Sequence, residues 1–123
     1  MVETLSFDVI VVGAGPAGLA TAMHLRTLGR LQGQEISVCL LEKAARIGGH
    51  LLSGALLDPR ALAPLVPEWE KEATCLESPV LKESLWLLTR HRALPLPLPQ
   101  AWRHARPGRA CRMGSLGDLC RWL

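Results

Sequence analysis

The run Gly13-Ala14-Gly15-Pro16-Ala17-Gly18 constrains this chain more than any other feature, because of what stands on either side of it. Before it, Phe7-Asp8-Val9-Ile10-Val11-Val12 is short and almost continuously apolar, the pattern of a parallel strand whose two faces are both covered by helices. After it, a helical stretch runs to about Leu28, with Gly29 as the expected C-cap. Between a strand and a helix, each glycine has a task. Gly13 permits the tight turn, Gly15 leaves room for the backbone to approach a pyrophosphate, and Gly18 lets the helix pack closely on the sheet. Pro16 suits the first helical turn, where its missing N–H costs nothing. Together with Ala17 these residues form a candidate phosphate cradle, in which free N–H groups and the positive helix end face the anion.

A second apolar strand is expected over residues 36–41, which completes one β-α-β unit over residues 7–42. Glu42 closes it, 24 residues beyond Gly18, and the polar insertion 29–35 accounts for that slightly long separation. A carboxylate there can accept both hydroxyls of an adenosine ribose and would repel a 2′-phosphate; its bland alternative is an exposed charge at a strand end. Lys43 follows, and Gly48-Gly49 comes six residues after Glu42. A glycine pair there lets the returning chain pass close to a pyrophosphate or flavin, which favours FAD over NAD. Ser53 and Gly54 continue the loop and could reach the cofactor, or form only a turn. The fold class is therefore α/β, the N-terminal part of a Rossmann-like FAD-binding domain, followed by irregular, Pro-rich extended segments.

Residues 43–57 are expected to be loop, with Ile47 and Leu51 packing inward. Asp58-Pro59 has the form of an N-cap followed by Pro at the first helical position, opening a short helix through Leu65, and a second helical piece is possible over 67–73. Residues 85–88 make an apolar strand, and the alternating Leu and Pro of 93–99 allow only an edge strand or a polyproline arm. Ser115 and Asp118 carry a capping-box pattern before a helix through Leu123.

Chemistry-bearing side chains are few. Net charge is +3, with the excess late, at Arg90, Arg92, Arg103, Arg106, Arg109, Arg112 and Arg121. No aromatic interleaving or recognition-helix pattern goes with these arginines, so no nucleic-acid surface is expected. Cys39, Cys75, Cys111 and Cys120, separated by 36, 36 and 9 residues, match neither a redox pair nor a metal cluster, and four free thiols are expected, Cys39 buried. His24 lies within the first helix, His50 closer to the proposed cofactor but with no acidic partner assignable to it. No catalytic triad or carboxylate pair emerges, so no catalytic residue is assigned; flavin chemistry needs little from side chains. No transit or membrane-spanning segment is read in residues 1–123.

Beyond these signatures the chain resembles the electron transfer flavoprotein–ubiquinone oxidoreductase family with its FixC-like relatives. The resemblance runs from residues 7–19 through Val38-Cys39-Leu40-Leu41-Glu42-Lys43-Ala44 to Ile47-Gly48-Gly49-His50-Leu51-Leu52-Ser53-Gly54-Ala55 and Leu57-Asp58-Pro59. The proline arm and Arg112-Met113-Gly114-Ser115-Leu116 carry it further. Gly49 departs from the family, which often has Ala there. The resemblance implies a much longer peripheral enzyme of the inner membrane that takes electrons from electron transfer flavoprotein and passes them to ubiquinone, using FAD and one [4Fe–4S] cluster. It makes Arg112 a candidate phosphate or flavin contact, and places the cluster ligands and the quinone- and membrane-binding surfaces in regions beyond this chain. This chain is then expected to be an N-terminal piece that supplies at most the ADP half of the FAD site.

Three rivals stand beside this reading. A small NAD-binding module would need further parallel strands after Glu42. A geranylgeranyl-reductase-like or aromatic monooxygenase-like enzyme shares the glycines and Glu42 but not residues 48–59. An inactive truncated fragment would keep the motif and bind nothing; with only two parallel strands it is expected to be insoluble or partly unfolded.

Overall fold

The computed structural model describes residues 3–76, 78–99, 105–106 and 109–123. Arg103 and His104 of the basic stretch lie outside the described residues.

Strand β1 (Val9–Val12) leads into helix α1 (Pro16–Leu31), and β2 (Val38–Leu41) returns parallel to β1, with Val9 opposite Val38 and Val12 opposite Leu41. The register is pinned just outside the ladder. Asp8 N–H donates to Ser37 Oγ at 3.0 Å, and Ser37 N–H donates to Asp8 Oδ2 at 2.8 Å, with the Ser37 hydroxyl on the same carboxylate oxygen. These bonds, the hydroxyl foremost, hold the Asp8 carboxyl below its ordinary pKa.

The α1 terminus corrects the C-cap expectation. The helix runs past Gly29 to Leu31, Gln32 is its C-cap, and Gly33 takes the left-handed conformation at φ +67°. Gln34 N–H reaches the Gly29 carbonyl at 2.8 Å and Gly33 N–H that of Arg30 at 3.2 Å, the paired bonds of a Schellman ending. Gly29 is small for another reason. A methyl group there would meet the Gln34 carbonyl oxygen at 2.8 Å and the Ile36 side chain at 3.0 Å.

The remainder of the chain is built from antiparallel pieces. Strand β3 (Gly54–Leu57) pairs with β9 (Arg112–Ser115), whose other edge takes the two-residue β4 (Ser78–Pro79). Residues 54–57 are thus strand rather than loop. Between these strands Asp58 caps a 3-10 turn at Pro59–Ala61 by accepting from Arg60 N–H at 3.1 Å, and turns continue to Val66. The helix expected through Leu65 does not form, since Pro64 and Pro67 lack the N–H groups it requires. Helix α2 (Trp69–Glu72) follows within the expected span. Strands β5 (Leu85–Leu88) and β6 (Ala93–Leu96) form a separate hairpin, in which the prolines lie on a two-stranded edge as their missing N–H groups demand. The minimal strands β7 (Ala105–Arg106) and β8 (Arg109–Ala110) pair with each other. Helix α3 (Leu116–Trp122) closes the described chain, with Ser115 Oγ accepting from Asp118 N–H at 3.2 Å at its N-cap.

Two cores result. One gathers Leu62, Trp69, Ala73, Leu76 and Leu119; the other gathers Ala14, Leu19 and Cys120, with Ile47 and Leu51 against it as the sequence suggests. The β1–β2 sheet departs from the both-faces-covered pattern: Ile10 is 58% and Val12 83% exposed. For the same reason Cys39 on β2 is half-buried, not buried as expected, whereas Cys111 and Cys120 are buried; all four thiols are free.

Candidate nucleotide-binding site

The site lies where β1 turns into α1. Gly13 adopts φ +101°, a conformation that residues with a side chain rarely enter, and its N–H extends the β1–β2 pairing by donating to Leu41 O at 2.7 Å. A methyl group on Gly18 would come within 1.9 Å of the Gly13 carbonyl oxygen, so α1 can lie this close to the loop only with glycine there. Gly15 differs from both. It is the N-cap of α1, and a methyl group on it would meet nothing within 4 Å. No side chain caps this helix end, Pro16 occupies its first turn, and no acidic residue lies there. The first-turn N–H groups and the positive end of a 16-residue helix are thus presented beside open space. Such an end suits an anion.

Glu42 stands across this loop. Its Oε2 accepts from Ala14 N–H at 2.8 Å, and its Oε1 accepts from Ala44 N–H at 2.7 Å. These two bonds hold its carboxyl below the ordinary glutamate pKa, the Ala44 bond most, and the charge of His50 acts in the same direction. Sequence reasoning found no acidic neighbour for His50; the fold brings it within the field of Glu42. The Lys43 backbone N–H also acts on this carboxyl, and a carboxylate has about four acceptor positions, so it keeps acceptor capacity for a ligand hydroxyl.

The other expected residues are placed less directly. Lys43 is exposed beside Glu42, and His24 is exposed on α1. Gly48, at φ +73°, is where the loop passes α3: a methyl group there would lie 2.4 Å from Gly117 O. Gly49 is kept small by Arg46 O, which a methyl would meet at 3.0 Å. What the fold asks of this pair is therefore close backbone packing. Ser53 and Gly54 lead into the β3–β9 ladder, where Ser53 O accepts from Leu116 N–H at 3.3 Å. Arg112, on β9, lies with its guanidinium 5.9 Å from the centre of the Trp69 ring, within cation–π range. It lines a cavity with Trp69, Lys71 and Thr74, and none of the glycine-loop residues borders that cavity. An open cavity of about 760 Å³ near Phe7, Arg26, Arg30 and Gln34 lies at the opposite end of the β-α-β unit from the glycine loop. Ligands of parallel α/β sheets bind at the carboxyl ends of the strands, so the loop, not this larger space, is the candidate nucleotide site.

Comparison with known families agrees with this geometry. The family described as "NAD(P)-binding Rossmann-like domain" matches residues 11–72, from within β1 through α1, β2 and Glu42 to the end of α2. The chain belongs to that family. Its α/β nucleotide-binding unit is therefore of the Rossmann type. The chain is also 50% identical over 121 residues to the mitochondrial electron transfer flavoprotein-ubiquinone oxidoreductase of Oryza sativa subsp. japonica, an alignment covering 98% of this chain and 20% of the relative. The electron transfer flavoprotein-ubiquinone oxidoreductase of Pseudomonas aeruginosa is 41% identical over 125 residues, covering 98% and 22%, and the mitochondrial one of Dictyostelium discoideum 40% over 117 residues, covering 95% and 19%. The chain spans about a fifth of the length of the curated relatives it matches.

Two contributors escaped the reading of the motif. The N–H groups of Ala14 and Ala44 are held by Glu42, and nothing in an alanine's identity signals a backbone bond. Gly117 meets the Gly48 loop at its back, which a sequence shows only as a glycine inside a capping box. Among the described residues no group of three or more His, Cys, Asp or Glu could hold a metal ion.

Proposed function

We propose that this chain forms the ADP-binding part of the FAD site of an oxidoreductase that takes electrons from electron transfer flavoprotein and delivers them to ubiquinone. The observation that carries the proposal is the open, uncapped α1 end at Gly15 facing a strand-end carboxylate, in a chain aligned over 98% of its length with such an oxidoreductase. Bound FAD would supply the electron-transfer chemistry. The residues of this chain bind and orient it. The N–H groups after Pro16 meet the pyrophosphate, and the free acceptor positions of Glu42 take the adenosine ribose hydroxyls while disfavouring a 2′-phosphate. Gly48, Gly49, Ser53 and Gly54 shape the chain that returns past the cofactor, and Lys43 and Arg112 are secondary contacts on the cofactor's periphery. A [4Fe–4S] cluster of the whole enzyme would draw its ligands from outside this chain rather than from Cys39, Cys75, Cys111 or Cys120, which form no group of potential ligands among the described residues.

Peripheral association with the inner membrane is the corresponding location.

The test is flavin retention. The chain, purified with excess FAD and desalted, should keep a visible flavin band near one-to-one, and Gly15→Val should lose it while melting at a similar temperature. Retention of NADPH in place of FAD, or equal retention by Gly15→Val, would overturn the assignment.

A further inference from the structure

We infer that Glu42 is a positioning residue that clamps the phosphate loop in its binding shape before any nucleotide arrives, in addition to its contact with ribose proposed above. The clamp is made entirely by the chain's own groups. Ala14 lies between the two glycines of the turn, and its N–H is held by Glu42 Oε2, while Oε1 is held by Ala44 N–H on the chain leaving β2. One carboxylate thereby ties the loop between β1 and α1 to the loop after β2. The Gly13 bond to Leu41 O lies directly beside it, so the parallel pairing of β1 and β2 is continued through a side chain where the backbone ladder ends. Ala14 is 1% exposed and packs on Leu19 and Cys120, so its amide is fixed on one side by packing and on the other by Glu42. With Ala14 fixed, Gly15 is delivered with its open side outward. A loop held in the bound shape loses less conformational freedom on binding, and that difference appears as affinity.

The clamp requires a side chain with two acceptors. A glutamine has one acceptor oxygen and one NH₂, so in Glu42→Gln one of the two N–H groups must face another donor. A role confined to ribose hydroxyls makes no such demand on the ligand-free protein.

The experiment is amide hydrogen exchange of Glu42→Gln without ligand, joined to binding of ADP and of 2′,3′-dideoxy-ADP, which keeps the diphosphate and lacks the ribose diol. Exchange at Ala14 or Ala44 should accelerate about tenfold, the scale of losing a charge-assisted bond, while the β1–β2 ladder amides keep their protection. 2′,3′-dideoxy-ADP should weaken through loss of the clamp, and ADP by at least the same factor. Weakening of ADP alone, or unchanged exchange at both alanines, overturns the clamp. Should the parent chain bind neither nucleotide, the nucleotide reading fails, and the exchange measurement still decides the clamp.

Should Glu42→Gln not fold, the unaltered chain provides the decision. The Ala14 and Ala44 amide proton resonances should shift together as one carboxyl titrates below the usual glutamate value of 4.5, lowered by these two N–H donors with His50 the facing charge. The charged form is the one held, so the clamp is present above that pKa and released as pH falls through it. Independent or absent titration of the two amides overturns it.

Discussion

The β1-α1-β2 unit, at Gly15, and the β3–β9–β4 region with α3 use glycine differently. In the first, Gly15 at the start of α1 faces open space, while Gly18 one turn on is pressed against the Gly13 carbonyl. In the second, Gly114 and Gly117 are pressed against backbone: a methyl on Gly114 would sit 2.2 Å from Cys75 O, and one on Gly117 3.0 Å from Gly48 O. Burial divides the same way. The second region encloses Trp69, Leu76 and Leu119, while the first buries only Ala14, Leu19 and Gly29 of its own residues. The β1-α1-β2 unit is thus the thinner of the two, an end of a helix and a loop held up by bonds more than by bulk.

Three measurements sharpen or break that contrast. Gly18→Ala should have the largest effect, because its methyl would overlap the Gly13 carbonyl and α1 must move off the sheet. A loss of at least about 3 kcal/mol in urea unfolding is expected, at or above the upper end for overpacking, and a loss below about 1 kcal/mol would show that the helix is not held as described. Leu119→Ala should cost about 2–5 kcal/mol as a fully enclosed large-to-small change. Thermal melting monitored at the indole of Trp69 should report it, and a Trp69 signal unmoved by the change would detach α3 from that core. Ser115→Ala should cost about 1 kcal/mol through loss of the α3 N-cap bond, with local exchange rising at Asp118 and little change in α1 amides.

Legibility followed the range of the interaction. The strand, turn and helix over residues 9–31 could be read because their cues are local: an apolar run, three glycines at fixed spacing, a proline in the first turn. The strand after Ser53 could not, because Gly54-Ala55-Leu56-Leu57 has no alternation of its own and becomes a strand only through β9, far along the chain. Gly29 fits a helix end on paper, yet Gly33 makes it. Only the contact with Ile36 shows that Gly29 answers to packing and Gly33 to backbone conformation. At the site, Gly13, Gly15, Gly18 and Glu42 come together as their spacing implies, whereas Arg112 goes to Trp69 and the second glycine pair turns its tight side to α3. The indole under Arg112 and the glycine behind Gly48 both arrive from distant sequence, beyond the reach of any motif.

Leu119 and Cys120 are neighbours on α3, yet one is enclosed with Trp69 and Leu76 and the other with Ala14 and Leu19. A single helical turn is therefore an axle shared by two wheels. Neither half can open fully while the other stays shut, so the unfolding of the phosphate loop and that of the antiparallel sheet should belong to one cooperative event, and a ligand that tightens the loop also steadies a sheet it never touches.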